Sequence, residues 1–290
     1  MKLLLRWISR WPLPLVRFLG AGLGWLAWGL SPTYRRRLAL NATLAGLTPA
    51  QQRRAVSEAG RTAAEVPWLW FRDASRPLAP LVRWTGRELV AQALDHGKGL
   101  ILLTPHLGFF EMAARGYAEE FGARQPITVL YKPSRNPRLA EIQTTAREAP
   151  GMSAAPASLS GVRQLLRALR KGETLGLLPD QVPPDGQGVW APFFGRTAYT
   201  MTLAARLAQQ TGATVLLCWC ERLPGSAGFA LHFEPMNQPL PTEPDDVAGA
   251  RAVNAAMESL IRQKPEQYLW AYNRYKPPHG YSGPPPEEAA

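Results

Sequence analysis

Cysteine is nearly absent from this chain. Its 290 residues include two cysteines, Cys218 and Cys220, in a run typical of a β-strand, where a spacing of two points both side chains to one face. Neighbours on one strand face do not readily form a disulfide. A disulfide framework and a four-cysteine zinc site are therefore excluded, and a reducing cytoplasmic environment is the simplest interpretation.

The signature motifs of several enzyme classes are also missing. No G-x-S-x-G occurs, and both cysteines are predicted to be buried, so no enzyme-borne nucleophile is indicated. No H-E-x-x-H occurs, and the four histidines are scattered along the chain. The sequence therefore predicts neither a metal site nor a bound cofactor.

Acidic residues are few compared with basic ones. The chain has 22 Asp+Glu against 33 Lys+Arg, a formal net charge of +11, which favours anionic partners. The basic residues follow no RNA- or DNA-binding motif, so a nucleic-acid binder is the weakest candidate. Tryptophans lie among arginines near the N-terminus, as at a membrane interface, and this favours an anionic membrane surface.

One long apolar run is present, residues 13–30, and Arg17 alone interrupts it. Eighteen residues are at the lower limit for a membrane-spanning helix. No small-residue cleavage site follows, and Arg35, Arg36 and Arg37 stand close behind, so we predict a retained anchor over residues 1–37. A shallow interfacial helix and a buried core helix are the alternatives.

Beyond the anchor, the pattern from 49 to about 93 is helical, with breaks at Pro67 and at 77–80. Short apolar runs then alternate with amphipathic segments. Predicted strands are 100–104, 127–133, 174–180 and 213–222, and predicted helices are 86–99, about 137–147, 161–173 and 201–212. This alternation predicts an α/β fold with a central mixed, largely parallel sheet flanked by helices.

Two polar residues follow strands of that sheet. His106 comes just after strand 100–104 and Asp180 ends strand 174–180, so we expect them to share one site at the carboxyl edge. Glu111 follows His106 by five positions, about 140° around a regular helix, so a shared helix face is excluded. With His106 on the preceding loop, the Glu111 carboxylate is expected to reach Nδ1 and support a general base. The alternative is a helix-start histidine with ordinary packing.

Five ordered motifs between residues 85 and 278 resemble the late acyltransferases of lipid A biosynthesis, within the glycerolipid acyltransferase superfamily. HLGFFE is similar to the superfamily's His-x4-Asp/Glu motif. The other four are YKPSRNPRLAEIQTTAR, LRALRKGETLGLLPDQ, VWAPFFGRTAYT and PEQYLWAYNRYKPP.

The resemblance implies transfer of a fatty acyl chain from acyl carrier protein to a hydroxyl of a Kdo-bearing lipid A precursor, without a covalent acyl-enzyme. It makes His106 the general base and Glu111 its orienter. Arg147 would stabilise the oxyanion or hold an acceptor phosphate, unless it is a surface arginine. Asp180 would have a positioning role, unless it caps the following turn.

The same motifs supply further candidate substrate-binding residues. Lys132 and Arg135 would contact phosphate or form a solvated basic edge, and Gln181 belongs to the PDQ block. Phe193 and Phe194 would line the acyl channel or pack in the core. No cofactor is implied beyond the acyl-carrier-protein co-substrate.

The implied location is the cell inner membrane, with an acyltransferase domain over residues 38–278 on the cytoplasmic side and a disordered tail over 279–290. Two other interpretations remain open. One is an acyltransferase of the same superfamily that acts on a lysophospholipid, an ornithine lipid or a glycolipid. The other is a catalytically inactive lipid-binding protein of the membrane surface.

Overall fold

The computed structural model describes residues 2–73, 76–134 and 136–281. The helices are α1 (Lys2–Ile8), α2 (Leu13–Leu30), α3 (Pro32–Leu44), α4 (Pro49–Trp70), α5 (Arg87–Asp95), α6 (Phe110–Phe121), α7 (Pro137–Arg147), α8 (Leu159–Arg170), α9 (Leu203–Thr211) and α10 (Asp246–Gln263). The strands are β1 (Val82–Thr85), β2 (Leu100–Leu103), β3 (Ile127–Tyr131), β4 (Met152–Pro156), β5 (Thr174–Leu177), β6 (Gly188–Phe193), β7 (Arg196–Met201), β8 (Thr214–Arg222) and β9 (Phe229–Pro235).

Seven of these strands form one sheet in the order β1-β9-β8-β2-β5-β3-β4. Every pair of neighbours is parallel except β8 and β9, while β6 and β7 form a separate antiparallel hairpin. Helices cover both faces of this sheet, so a central strand such as β2 is buried along its whole length. The predicted α/β fold with a mixed, largely parallel sheet is confirmed.

The two faces of the sheet pack against different helices. Ile101 and Leu103 of β2 point into a core that includes residues of α8, α9 and α10, whereas Leu100 and Leu102 point into a core that includes α5 and α6. The alternation follows from the two-residue period of a strand. Packing on both faces holds the central strands in place. The loops that follow their carboxyl ends therefore start from well-defined positions.

Helix α2 packs closely along α4. A Cβ atom added to Gly24 would lie 2.2 Å from the Val56 carbonyl oxygen, and one added to Gly60 would lie 2.1 Å from the Gly20 carbonyl oxygen. Glycine at these positions lets the two backbones touch, as small residues do where membrane helices cross. Gly20 and Gly24 therefore form the face of α2 that packs against α4.

The arginine inside the apolar run also has a structural role. Arg17 is buried, and its Nε donates to Glu65 of α4 over 2.8 Å. Its other nitrogens donate to the carbonyl oxygens of Leu223, Gly225 and Gly228, in the turn between β8 and β9. The side chain thus joins α2 to both α4 and the sheet.

The opposite side of α2 is apolar and exposed. Its exposed large side chains are Leu15, Phe18, Leu19, Leu23, Trp25, Leu26, Trp28 and Leu30. The helix is long and apolar enough to cross a membrane, and 28% of its residues are buried. It is therefore not the fully buried core helix considered above, and it remains the candidate membrane anchor.

Two sequence predictions for the remaining chain need correction. The region 49–93 is not helical throughout, because β1 lies within it; this short edge strand alternates buried and exposed side chains over too few residues to show a period. Pro67 does not break α4, which continues to Trp70, although a proline inside a helix removes one backbone hydrogen bond. Residues 282–290 of the predicted tail lie outside the described residues.

Candidate active site

The candidate site lies beyond the carboxyl ends of two adjacent parallel strands. Leu103 of β2 pairs with Leu177 of β5, and each strand is followed three residues later by a polar side chain, His106 and Asp180. The shared register brings these residues to the same edge of the sheet. The expectation that these two side chains lie close together is confirmed.

The loop that carries His106 is fixed by backbone contacts. Gly108 donates to the carbonyl oxygen of Gln267 over 3.0 Å, and Phe109 donates to that of Cys220 over 2.9 Å. Gly108 has φ +61, and a Cβ there would lie 1.9 Å from the Cys220 carbonyl oxygen. Only glycine fits this position, since it combines a left-handed conformation with a close backbone approach.

A carboxylate holds His106 in place through two bonds. The imidazole Nδ1 lies 2.7 Å from Oδ1 of Asp180, and the His106 backbone N–H donates to Oδ2 over 2.9 Å. Asp180 is 1% exposed. Burial acts to raise the pKa of its carboxyl group, but the His106 charge and the two hydrogen bonds outweigh burial and hold the pKa below its usual value. An ionised Asp180 fixes a proton on Nδ1.

The second ring nitrogen of His106 faces Gln181. The Nε2 atoms of the two side chains are 3.0 Å apart. Because Nδ1 carries the ring proton, Nε2 has a free lone pair and accepts from the Gln181 amide. The ring of Phe110 packs beside the imidazole, with centroids 4.7 Å apart. Asp180, Gln181 and Phe110 therefore hold the imidazole in one defined orientation.

Glu111 has a different partner from the one predicted. It forms an ion pair with Arg147, and its Oε2 accepts from the indole N–H of Trp70 over 3.1 Å. The prediction that Glu111 contacts Nδ1 of His106 is wrong, because Asp180 occupies that nitrogen. Glu111 lies in the first turn of α6, whose N–H groups and dipole favour a carboxylate there.

Arg147 is not a surface arginine. Its guanidinium carbon lies 4.8 Å from the ring centroid of Trp70 and 5.6 Å from that of Tyr131. A guanidinium held between two aromatic faces and paired with a carboxylate has one well-defined position. Trp70, Glu111 and Arg147 therefore form one cluster beside the His106 loop.

An apolar groove of about 570 Å³ opens at His106. Residues of α2 and α4 line one part of it and the 268–272 segment lines another. Its lining includes Leu23, Ala27, Ala59, Ala63, Val66, Phe110, Asp180, Gln181, Tyr268 and Tyr272. The volume lies within the usual range of small-molecule sites, and a polar end on an apolar groove suits an amphipathic substrate.

The remaining predicted substrate residues lie elsewhere. Phe193 and Phe194 are buried in the core that contains Trp270, and neither is among the groove's lining residues. The core-packing alternative therefore describes them. Lys132 is exposed after β3, and Arg135 lies outside the described residues.

The segment 265–275 contributes residues whose roles the sequence did not indicate. Burial, followed by the nearby Asp180 carboxylate, raises the pKa of Tyr268 well above its usual value, so its hydroxyl remains protonated. Arg274 is buried and donates to the Tyr199 carbonyl oxygen and the Thr200 hydroxyl. The PEQYLWAYNRYKPP motif identified this segment as part of the family resemblance. The spacing of its residues did not predict the contacts of Tyr268 and Arg274.

Within the described parts of the chain, no three His, Cys, Asp or Glu side chains form a metal-binding group. Cys218 and Cys220 are free and buried, and burial raises the pKa of both thiols. A buried, protonated thiol is a poor nucleophile.

The chain resembles known proteins over most of its length. The family model described as bacterial lipid A biosynthesis acyltransferase matches residues 2–277. A lipid A biosynthesis lauroyltransferase of Escherichia coli (strain K12) is 28% identical over 91% of this chain and 86% of its own. A lipid A biosynthesis palmitoleoyltransferase of the same organism is 27% identical over 75% of this chain and 68% of its own length. A lipid A biosynthesis myristoyltransferase of that organism is 25% identical over 86% of this chain and 77% of its own length. On the strength of the family match, which includes the His106 loop, the Asp180 turn and α2, this chain belongs to the bacterial lipid A biosynthesis acyltransferase family.

Proposed function

We propose that this acyltransferase moves a fatty acyl chain from acyl carrier protein to a hydroxyl of a Kdo-bearing lipid A precursor, with His106 as general base. One observation carries the proposal. The imidazole bonded to Asp180 over 2.7 Å lies at the polar end of an apolar groove. A base and a site for an acyl chain thus meet at one point.

The proton positions suggest the chemical steps. Asp180 keeps the ring proton on Nδ1. When the acceptor hydroxyl replaces the Gln181 amide at Nε2, this nitrogen removes the hydroxyl proton as the oxygen attacks the thioester carbonyl. The tetrahedral intermediate collapses with loss of the carrier's thiolate, and the imidazolium returns the proton to the leaving sulfur. No enzyme acyl ester is needed, since the acceptor supplies the nucleophile.

Glu111 acts in this proposal through Arg147. Its carboxylate and Trp70 hold the guanidinium beside the first turn of α6. A guanidinium in this position can form charge-assisted hydrogen bonds with a negatively charged group of the substrates near the reacting atoms. We therefore assign Asp180 as the orienter of His106 and Glu111 as a positioning residue for Arg147.

The partners and the location follow from charge and surface. An excess of 11 positive charges attracts acidic acyl carrier protein, a phosphorylated acceptor and an anionic membrane. The exposed apolar side of α2 suits the inner membrane, and the free cysteines suit a catalytic domain on its reducing, cytoplasmic side.

The test is an assay of the purified protein with acyl carrier protein loaded with chains of several lengths and a Kdo-bearing tetra-acylated precursor. Mass spectrometry identifies the product. We expect one added acyl chain, and a loss of about 10²- to 10⁴-fold in kcat for His106→Ala. His96→Ala, at an exposed histidine after α5, is the matched control and is expected to keep full activity.

Two results would contradict parts of the proposal. Acylation of a lysophospholipid or an ornithine lipid, but not of the precursor, would show that the acceptor is wrong while the reaction class is right. Equal rates for the wild type and His106→Ala would show that the base is wrong.

A further inference from the structure

A second cavity, of about 600 Å³, lies between α1, the end of α4 and α7. Arginines from two distant parts of the chain line it: Arg6 and Arg10 at α1, and Arg72 and Arg76 after α4. Asp73 is the one acidic residue among the described residues that line it. The cavity therefore has an excess of three positive charges.

The arginines are brought together by fixed contacts. The Ser9 hydroxyl donates to the Phe71 carbonyl oxygen over 2.9 Å, which joins the end of α1 to the end of α4. Trp68 supports the same junction, because its indole N–H donates to the Trp11 carbonyl oxygen over 3.1 Å. The gathering of positive charge is therefore part of the fold and does not depend on flexible side chains alone.

Arg72 is the best-fixed member of the group. Its nitrogens donate to the carbonyl oxygens of Arg76 and Pro77, and its guanidinium carbon lies 4.9 Å from the ring centroid of Trp68. Burial, and next the positive charge of Arg76, lower its pKa. Like charges held this close repel, and a bound anion would relieve the repulsion.

The cavity shares a side chain with the candidate active site. Trp70 lines it, and the same indole donates to Glu111 and supports Arg147. Thr145 and Ala146, which immediately precede Arg147 on α7, also line the cavity. Trp70 thus contacts the Glu111–Arg147 pair and also lines the cavity that contains the four arginines.

An exposed tryptophan follows Arg6 of this cavity in the chain. Trp7 of α1 is 56% exposed and packs edge-on against Trp11, with ring centroids 4.7 Å apart. Tryptophans of this kind favour the boundary between lipid and water. A ligand of this cavity is therefore expected to carry both an anionic group and an apolar part that enters the membrane.

We propose that this cavity binds a phosphomonoester group of the lipid acceptor, with Arg6, Arg10, Arg72 and Arg76 as its ligands. Guanidinium groups match the geometry of phosphate oxygens, and a dianion offsets most of the excess charge. The assignment rests on the proposed function, because it takes the acceptor as its ligand. Binding the phosphate here would hold the rest of the acceptor against the Trp70 side of the active site.

The test compares two acceptors and three proteins, all full-length and in the same detergent. The acceptors are the phosphorylated lipid A precursor and the same precursor after phosphatase treatment. The proteins are the wild type, Arg6→Ala/Arg10→Ala, and the control Arg167→Ala/Arg170→Ala, which removes the same charge from exposed positions of α8. Thermal unfolding verifies that each variant folds.

We expect Arg6→Ala/Arg10→Ala to raise KM for the phosphorylated acceptor about 10-fold with unchanged kcat, because charge-assisted bonds in the bound state are lost. The increase should disappear with the dephosphorylated acceptor and be absent from the control. An equal increase with both acceptors, or in the control, would overturn the proposal, since it would reflect net charge alone.

A binding measurement separates failure of this site from failure of the proposed function. If the wild type acylates neither acceptor, the proposed function has failed, and the site is judged by equilibrium binding of the two acceptors in micelles. Phosphate-dependent binding that Arg6→Ala/Arg10→Ala loses supports the site. A variant with unchanged KM and unchanged acceptor affinity, but weaker binding to phosphatidylcholine vesicles containing phosphatidic acid, would assign the cavity to bilayer lipid and overturn the proposal.

Discussion

Arg17 and Glu65 are partners in a buried ion pair that links the apolar helix α2 to α4. Glu65 also accepts hydrogen bonds from Arg222 of β8. The same guanidinium donates to Glu58 and to the Thr62 hydroxyl. Arg222 in turn exchanges backbone hydrogen bonds with the side chain of Gln267. Buried charges of both signs are thus connected from the N-terminal helix to the segment that supports the His106 loop.

Removing Arg17 should be costly. Arg17→Met leaves three carbonyl oxygens without their donor and reduces the pairing of buried Glu65, so we expect a loss of about 3 kcal/mol in the free energy of unfolding. Thermal and denaturant unfolding in detergent measure the change. Arg35→Met is the matched control, because Arg35 also donates to two carbonyl oxygens but is only half-buried and makes these bonds at the surface. Its effect should stay below about 1 kcal/mol. Similar effects of both variants would show that the network does not hold α2.

The two carboxylates near His106 should differ in their kinetic roles. Asp180→Asn removes the group that keeps the proton on Nδ1, and we expect kcat to fall by about 10²-fold or more. Glu111→Gln loosens Arg147 without touching the imidazole, so its pH–rate profile should keep the wild-type shape. Steady-state kinetics across pH measure both. If Glu111→Gln changed the acidic limb of the profile, where a general base becomes protonated, and Asp180→Asn did not, the orienter would be Glu111.

The glycine in the His106 loop should not tolerate a side chain. Gly108→Ala forces a Cβ toward the Cys220 carbonyl oxygen, which must move, and we expect a loss of at least about 2 kcal/mol of stability together with lower activity. Gly212→Ala separates the two causes, because Gly212 has a similar φ of +67 and nothing within 4 Å of its added Cβ. It should show only the smaller cost of the left-handed conformation, about 1 kcal/mol. Equal losses would mean that the close approach is unimportant.

Alkaline pH should weaken the fold through Tyr117. Burial raises the pKa of this phenol to about 12, against a smaller opposing effect of its hydrogen bond with Thr174. Between pH of about 10 and about 12 the unfolded chain releases this proton while the folded protein keeps it, so up to about 3 kcal/mol of stability is lost as pH rises. Tyr117→Phe should have a shallower decline over this window, measured by denaturant unfolding. Parallel curves for the two proteins would contradict the assignment.

The sequence predicted the central parts of the fold because their signals are local. Helix α7 lies where its periodicity placed it, and β2 and β8 are continuous apolar runs. Strands β1 and β4 were missed, since both lie at the edges of the sheet, where short, partly exposed segments show no clear period. Helix α10 was missed although Asp245 caps it.

The sequence indicated where in the fold the candidate site lies, but not which side chains form hydrogen bonds and ion pairs there. Strand ends placed His106 and Asp180 together, because parallel register is a property of the sheet as a whole. Which carboxylate faces Nδ1 depends on the path of the loop at Gly108 and on α7, which brings Arg147 to Glu111. Neither path is encoded in the spacing between His106 and Glu111.

The contact of glycines between α2 and α4 has a practical consequence. Leu23, Gly24 and Ala27 of α2 are also part of the groove that ends at His106. A shortened form of the protein that begins after α2, made to avoid detergent, would lose one wall of the candidate active site and expose the backbone face of α4 around Gly60. We expect such a form to lose the groove at His106 together with the apolar helix.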